Sequence, residues 1–553
     1  MIIKFDRTPE EFYRLSRMAF EEGQLERALK YGEKALRGKG STEYKVSLAE
    51  IFLSMGRSAD AMDLALDALC HGRGMRSEIY ELLIHATSDL GHLYESVYYI
   101  ARKARLEGDD EALDAMDEMM EDFVSNMSET SREDDLFVVG KERRDPPRPF
   151  DLAQAAYRMH HGQYEDAIAL LREVDKDSEQ YVEARRMMLR AMVKSGGVKD
   201  AVATAEEIVK EDPKCAYALY VLIAHGGRKE YLPALEGVED DRQDLYFAIA
   251  AADEAGAYDL SASLADRLIA AEPYLPEAYF VRAAALLNGG KRAASLDTLK
   301  RLFSLYSGYP SSVILKGWAR MKKCTILFHD TMPAEVVALM RRYVRKNAKD
   351  SECFVHSILT DETFRFAVRR LLEYGDGEVA DNVVHFLGVE DNRQVATFFS
   401  KLLLNTRVEP LLKKAILAEL LSHKDKGKIW VAPAGVPIAV PCEKPSHYVL
   451  YPENLKYAYL NLYAFLSCLS DTVCADRVGA FAERLYLYVG VGRVRSETLA
   501  AAMICRLFAE GQLRAFVERM EPETACETLM QDVFAVKKIR FGEVRKWMAV
   551  LVD

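Results

Sequence analysis

The sequence is poor in what membrane, metal and cofactor chemistry need. No stretch of its 553 residues is apolar over the length of a bilayer span. Positions 1–11 lack an apolar core followed by a small-residue cleavage site, so no secretory signal is expected. Nine cysteines, odd in number and scattered, fit reduced thiols in a cytoplasm better than a disulfide framework. The patterns GxxxxGKS/T, GxSxG and HExxH are all absent. Cys442 with His447, and Cys468 with Cys474, lack zinc-site spacing with further partners. His160 and His161 adjoin just before Gly162, at a helix end, where histidines more often meet the helix dipole than a metal. No cofactor and no metal are expected, and the primary reading is non-enzymatic.

Positive charge is outnumbered, with 74 Lys and Arg against 86 Asp and Glu. The formal net charge is −12, which argues against a general nucleic-acid binder, since phosphate contacts need a basic face. The imbalance is local. From Glu107 to Asp135 there are 13 acidic residues and one basic, Arg132, and the rest of the chain is near neutral. The opposite bias falls between Lys316 and Lys349, with nine basic residues against Asp330 and Glu335. Lys322, Lys323, Arg341, Arg342, Arg345 and Lys346 form its centre, interleaved with Trp318, Phe328 and Tyr343. That patch is weighed as a nucleic-acid surface, as ordinary solvated faces, and as a dock for segment 107–135.

What the chain does have is repetition. In Leu245–Pro273, Leu245, Ala248, Ile249 and Ala252 share one helical face. Gly256 breaks the helix, Tyr258 follows, and a second helix carries Ser261, Ala265 and Leu268 before Pro273 closes the unit. Tyr279–Leu302 repeats this, with Gly290 at the turn and Ser295 standing 34 residues after Ser261. The same beat runs through Ala28, Ala61 and Ser96 in residues 9–105, and through Ala167 and Ala201 beyond a gap. The copy near Ala218–Leu235 is short and degenerate. Small residues in phase are what two crossing helices need to bring their backbones close.

This grammar resembles the tetratricopeptide repeat, a helix–turn–helix of about 34 residues. The expected fold is all-α: an α-solenoid of such repeats, then an irregular or HEAT-like helical region with one short β-hairpin. The expected divisions are 1–107 (repeats), 108–149 (acidic capping helix and linker), 150–310 (second array), 311–426 (HEAT-like helices), 427–450 (hairpin) and 451–553 (C-terminal helices). Ile429 and Val431, then Ile438 and Val440, alternate about Pro433–Gly435 as a hairpin, expected to protrude from the helical body.

The resemblance implies a groove, lined by the first helix of each unit, that holds a protein or peptide partner. In the second array that face carries Arg186, Arg190 and Lys194, at i, i+4 and i+8. Such a stripe suits a carboxylate or an acidic peptide, with Tyr246, Phe280 and Leu287 as apolar anchors beside it. In the first array the same face carries Tyr13, Arg17, Phe20, Glu50 and His85. Chaperone-binding members of the family clamp a C-terminal carboxylate with Lys and Asn there. Tyr13 and Arg17, or Val46 and Glu50, replace them here. The implied function is a cytoplasmic interaction scaffold or adaptor. The alternatives are a peptide-sensing regulator of transcription or signalling, and an enzyme with its site in residues 311–553. Membrane insertion is not expected, and nucleic acid is the less favoured partner.

Overall fold

The computed structural model describes residues 8–109, 163–510 and 537–551, with short gaps inside those ranges and scattered positions between 152 and 159. The expected capping helix and linker of 110–149 lie outside the described residues, as do His160 and His161.

The first array is three helical pairs: α1 (Pro9–Glu21) with α2 (Leu25–Leu36), α3 (Thr42–Ser54) with α4 (Ser58–His71), and α5 (Arg76–Asp89) with α6 (Leu93–Glu107). Its start is fixed locally. The Thr8 hydroxyl accepts the Glu11 amide, and the Glu11 carboxylate accepts the Thr8 amide, which satisfies two donors left over at a helix N-terminus. The second array runs from α7 (Tyr164–Arg172) through α8 (Tyr181–Lys194), α9 (Val198–Glu211), α10 (Ala216–Tyr220), α11 (Arg242–Glu254), α12 (Tyr258–Ala271) and α13 (Pro276–Asn288) to α14 (Arg292–Leu305). The turn glycine recurs with one geometry. Gly23, Gly56, Gly196, Gly256 and Gly290 all take φ between 67° and 85°, a region closed to most side chains. The degenerate copy shows its irregularity openly. After α10 the chain makes a π-turn over Val221–His225 and then a 3-10 segment over Lys229–Gly237 containing Pro233.

The small residues sit where the periodicity puts them. Ala28, Ala61, Ala167, Ala201, Ser261 and Ser295 have no exposed surface, and Ser96 is buried. Two of the serines differ in a testable way. The Ser295 hydroxyl donates to the Ala283 carbonyl (2.6 Å) and accepts Trp318 Nε1–H (2.8 Å), all inside the core. The Ser261 hydroxyl has no partner. Ser295→Ala therefore strands a buried indole N–H and is expected to cost about 1–3 kcal/mol, while Ser261→Ala is neutral or stabilising. Denaturant melts of the two variants check the contrast, and equal effects would overturn it.

Beyond Pro310 the helices lose the regular beat. They are α15 (Ser311–Trp318), α16 (Ala334–Asn347), α17 (Ser351–Thr360), α18 (Glu362–Glu373), α19 (Gly377–Val389), α20 (Arg393–Leu402) and α21 (Pro410–Ser422). The fullest packings here skip a helix, α16 on α18 and α19 on α21, so the region is an irregular helical bundle. The C-terminal helices are α22 (Glu453–Cys468), α23 (Thr472–Tyr486), α24 (Ser496–Ala509) and α25 (Phe541–Val550). A single hydrophobic core runs from Tyr279 in α13 through all of these to Leu551.

The hairpin forms in the expected place, β1 (Lys428–Val431) antiparallel to β2 (Ile438–Pro441), with Ile429 opposite Val440. It does not protrude. Ile429, Val431 and Val440 are buried, and the fully buried Lys413 ammonium donates to the Ala432 carbonyl (2.5 Å). The tip reaches the first array, where the Tyr99 hydroxyl donates to the Gly435 carbonyl (2.5 Å). Ala432 and Leu404 share one core cluster with Met62, Leu66 and Tyr99. A strand pattern shows which faces are apolar but not what covers them, and here the cover is more than 300 positions away in sequence.

The tip is one of several contacts that press the second helices of the first array onto the later chain. Arg301 of α14 pairs with Glu26 of α2 (2.5 Å). Arg57 stacks on its neighbour Phe52 (4.2 Å) and on Tyr306, just past α14 (4.5 Å). At the centre lies a charge cluster. Arg407 bonds Asp60 of α4 (2.6 Å), and Arg369 of α18 bonds Asp63 of α4 (2.8 Å). Glu373 receives Arg369 (2.7 Å), Arg370 (2.9 Å) and the Asn405 amide (2.6 Å), and the Thr406 amide donates to Asp63 (3.0 Å).

Candidate peptide-binding surface

Each repeat contributes a first helix, and in the second array α8, α10 and α11 stand side by side. Arg186, Arg190 and Lys194 project from α8, the first two half-buried and Lys194 exposed. Arg186 approaches Asp212 at 3.7 Å. Arg190 does something different. Its guanidinium lies over the rings of Tyr217 (5.4 Å) and Phe247 (5.6 Å), from the next two first helices. Those rings meet edge to face at 4.7 Å, and Tyr220 tilts against both. Burial pushes the Tyr217 hydroxyl up to about 12, with Arg190 pulling the other way, so the ring stays neutral at physiological pH. Arg190 Nε is buried and has no hydrogen-bond partner. A guanidinium held beside aromatic rings keeps its charge and its donors, which can make charge-assisted hydrogen bonds to a carboxylate.

The apolar residues mapped to this face do not line an open wall. Tyr246, Phe280 and Leu287 are all buried. Phe280 lies edge-to-face on Tyr309 (5.9 Å), and with Leu287 it belongs to the core that continues past α14. They are internal packing rather than anchors: Tyr246 lies in the second array's own core, and Phe280 and Leu287 lie in the core shared with the chain after α14. The rings that do surround the arginine, Tyr217 and Phe247 with Tyr220, were missed in the sequence. Two of them lie in the degenerate copy, where the count of residues per repeat is lost.

In the first array, Tyr13 stacks on Tyr44 (4.9 Å) and Arg17 forms an ion pair with Glu50. His85 is exposed. Arg17 is thus already satisfied within the array, unlike Arg190. The basic stretch divides in the same manner. Arg341 pairs with the buried Asp376 (2.6 Å) and Arg345 with Glu378, so these two belong to the joint between α16 and α19. Lys322, Lys323, Arg342 and Lys346 remain exposed, and Phe328 lies outside the described residues. A cavity of about 210 Å³ lies beside that joint, walled by Val344, Phe354, Val379, Val383 and Phe386. His447 pairs with Glu483 (2.7 Å), and among the described residues no group of three or more metal-ligating side chains converges. Among them, too, no helix is long and apolar enough to cross a membrane.

The tetratricopeptide repeat family model matches residues 158–222, the stretch that contains α7, α8, α9 and α10. No curated protein matches the sequence. Among solved structures, a structure of Naa15/Naa10 bound to HypK-THB is 13% identical over 98% of this chain and 78% of that one, with a TM-score of 0.26. The APC/C hetero-tetramer Cut9-Hcn1 is 12% identical over 94% and 96%, at 0.25. The TPR2AB-domain:pHSP90-complex of yeast Sti1 is 14% identical over 57% and 96%, at 0.18. At such scores the overall paths of the chains do not superpose. Residues 158–222 thus match the tetratricopeptide repeat family, and helical pairs of similar build lie on both sides of that stretch.

Proposed function

We propose that the chain is a protein-interaction scaffold whose second array takes an acidic segment or a C-terminal carboxylate of a partner. The observation that carries this is Arg190: half-buried, held beside two rings, and with no ion pair among the described residues. Arg186 and Lys194, one turn away on either side, extend the positive stripe along α8. A repeat array presents such a stripe on a wide, preformed surface, so little ordering cost falls on the protein when an extended peptide lies across it.

The test uses short fluorescein-labelled acidic peptides with a free C-terminal carboxylate, the same peptides amidated, and basic controls, read by anisotropy. Arg190→Ala should weaken acidic peptides by about 10- to 100-fold, matching a lost charge-assisted hydrogen bond of about 1.5–3 kcal/mol. Arg190→Lys should recover little, because an ammonium cannot stack as a plane. Melting curves for both variants separate lost binding from lost folding. Equal affinity of wild type and Arg190→Ala for every acidic peptide would remove this surface from consideration.

A further inference from the structure

We propose that the chain's own acidic segment, residues 110–135, docks on the basic surface formed by α15, the residues 319–325 that follow it, and α16. Lys316, Arg320, Lys322, Arg342, Lys346 and Lys349 are all exposed there, and no ion pair joins any of them to a described residue. Some exposed cations elsewhere, such as Arg37, Lys291 and Arg301, do have carboxylates within reach. Within that surface, Arg341 and Arg345 are neutralised by Asp376 and Glu378, while Lys323 faces Asp253. These six make no ion pair among the described residues, and of them Lys349 stands beside Asp350. Arg342 and Lys346 lie one turn apart on α16 with Lys349 just past its end, and Lys316 lies on α15 with Arg320 just past its end. The two helices cross tightly, because a Cβ at Gly317 would collide with Leu339.

The occupant follows from charge and tether. Segment 110–135 holds eleven acidic residues and one arginine, and outside 107–135 the chain is near neutral, so this is its one concentrated source of complementary charge. About 40 residues join Asp109 to the second array, and an extended chain covers about 3.3 Å per residue, so reach does not limit the contact. Being tethered, the segment is present at an effective concentration of about the millimolar range, above what a free acidic partner ordinarily supplies. The contact is also salt-sensitive by construction, since exposed charges separated by more than a screening length do not attract.

Carbodiimide coupling of the full-length chain reads this directly, because it joins a carboxylate only to an amine it touches. Mass spectrometry should find carboxylates of 110–135 linked to Lys316, Lys322, Lys346 and Lys349. In a mixture of isotope-labelled and unlabelled chain, those links should lie within single copies. They should fall several-fold between about 0.01 M and about 1 M salt, where the screening length drops from about 30 to about 3 Å. The Arg320→Glu/Arg342→Glu variant leaves every lysine in place and should still lower coupling at Lys316 and Lys349 several-fold. Coupling spread over lysines elsewhere, coupling only between copies, or no response to that variant would each overturn the proposal.

Discussion

Replacing Arg407 by Ala is expected to cost about 3 kcal/mol and to release the first array from the later chain, because it removes the arginine that reaches Asp60, Asp63 and Glu373 together and leaves three largely buried carboxylates sharing fewer positive charges. Arg407 bonds Asp60 at 2.6 Å and lies 3.5 Å from Glu373, whose side chain is only 4% exposed. Arg369 and Arg370 alone cannot replace it, because they come from α18, the helix that carries Glu373, and neither approaches Asp60 as closely as Arg407 does. The contact should fail before the arrays themselves, since each array keeps its own buried core. Trp430 packs at the edge of the first array's core and reports the event by fluorescence. A variant that unfolds at the wild-type denaturant midpoint, with Trp430 unchanged, would count decisively against the cluster as the lock.

The three carboxylates should not be equivalent. Burial alone would raise all of them. In Glu373 and Asp60 the surrounding arginines win, and both carboxyls are held well below the usual range. In Asp63 burial wins, and its carboxyl is raised despite Arg369, Arg407 and the Thr406 amide. Depressed groups contribute stability that is present above their unfolded value, about 4, and is lost as pH falls through the folded one. Asp63 has the opposite sign, contributing below its unfolded value and losing that contribution as pH rises through its folded value. Stability should therefore hold at neutral pH and fall under strong acid. Glu373→Gln should cost several-fold more than Asp63→Asn, whose amide oxygen still accepts from Thr406.

How much of this was legible depends on how far apart the interacting residues lie. The turn glycines and the small residues at Ala28, Ala61, Ala201 and Ser295 were readable because both partners of each contact fall within one repeat, where spacing alone sets the geometry. The hairpin was readable for the same reason. Its tip's partner, Tyr99, was not, since nothing local to Pro433–Gly435 signals a hydroxyl 336 positions upstream. The charge cluster was invisible for another cause. Asp60 and Asp63 sit at the start of a helix with Arg57 before them, a pattern that reads as an ordinary solvated face, and only the docking of Arg369 and Arg407 reveals them as buried. Arg190 was legible only as one of a stripe with Arg186 and Lys194, and its neighbours Tyr217 and Tyr220 fell in the copy whose period is broken by the π-turn at Val221–His225.

Phe280 puts the difference between a groove and a core to experiment. It is 1% exposed and lies edge-to-face on Tyr309, which in turn meets Phe366 at 4.7 Å and accepts from Arg370 at 3.3 Å. A ring that lined an open binding face would lose affinity on truncation and leave stability almost unchanged. A ring in this position leaves a cavity, so Phe280→Ala is expected to cost about 3–5 kcal/mol, and Phe280→Leu appreciably less. The path from Phe280 through Tyr309 to Arg370 also ends at Glu373, so the two largest effects should not be independent. Combining Phe280→Ala with Glu373→Gln should give a loss that differs from the sum of the single losses by about 0.5 kcal/mol or more, the mark of residues that share partners. Strict additivity in denaturant unfolding would mean that the second array and α18 are joined by neighbouring but separate contacts, and the single core drawn from α13 to Leu551 would have to be divided there.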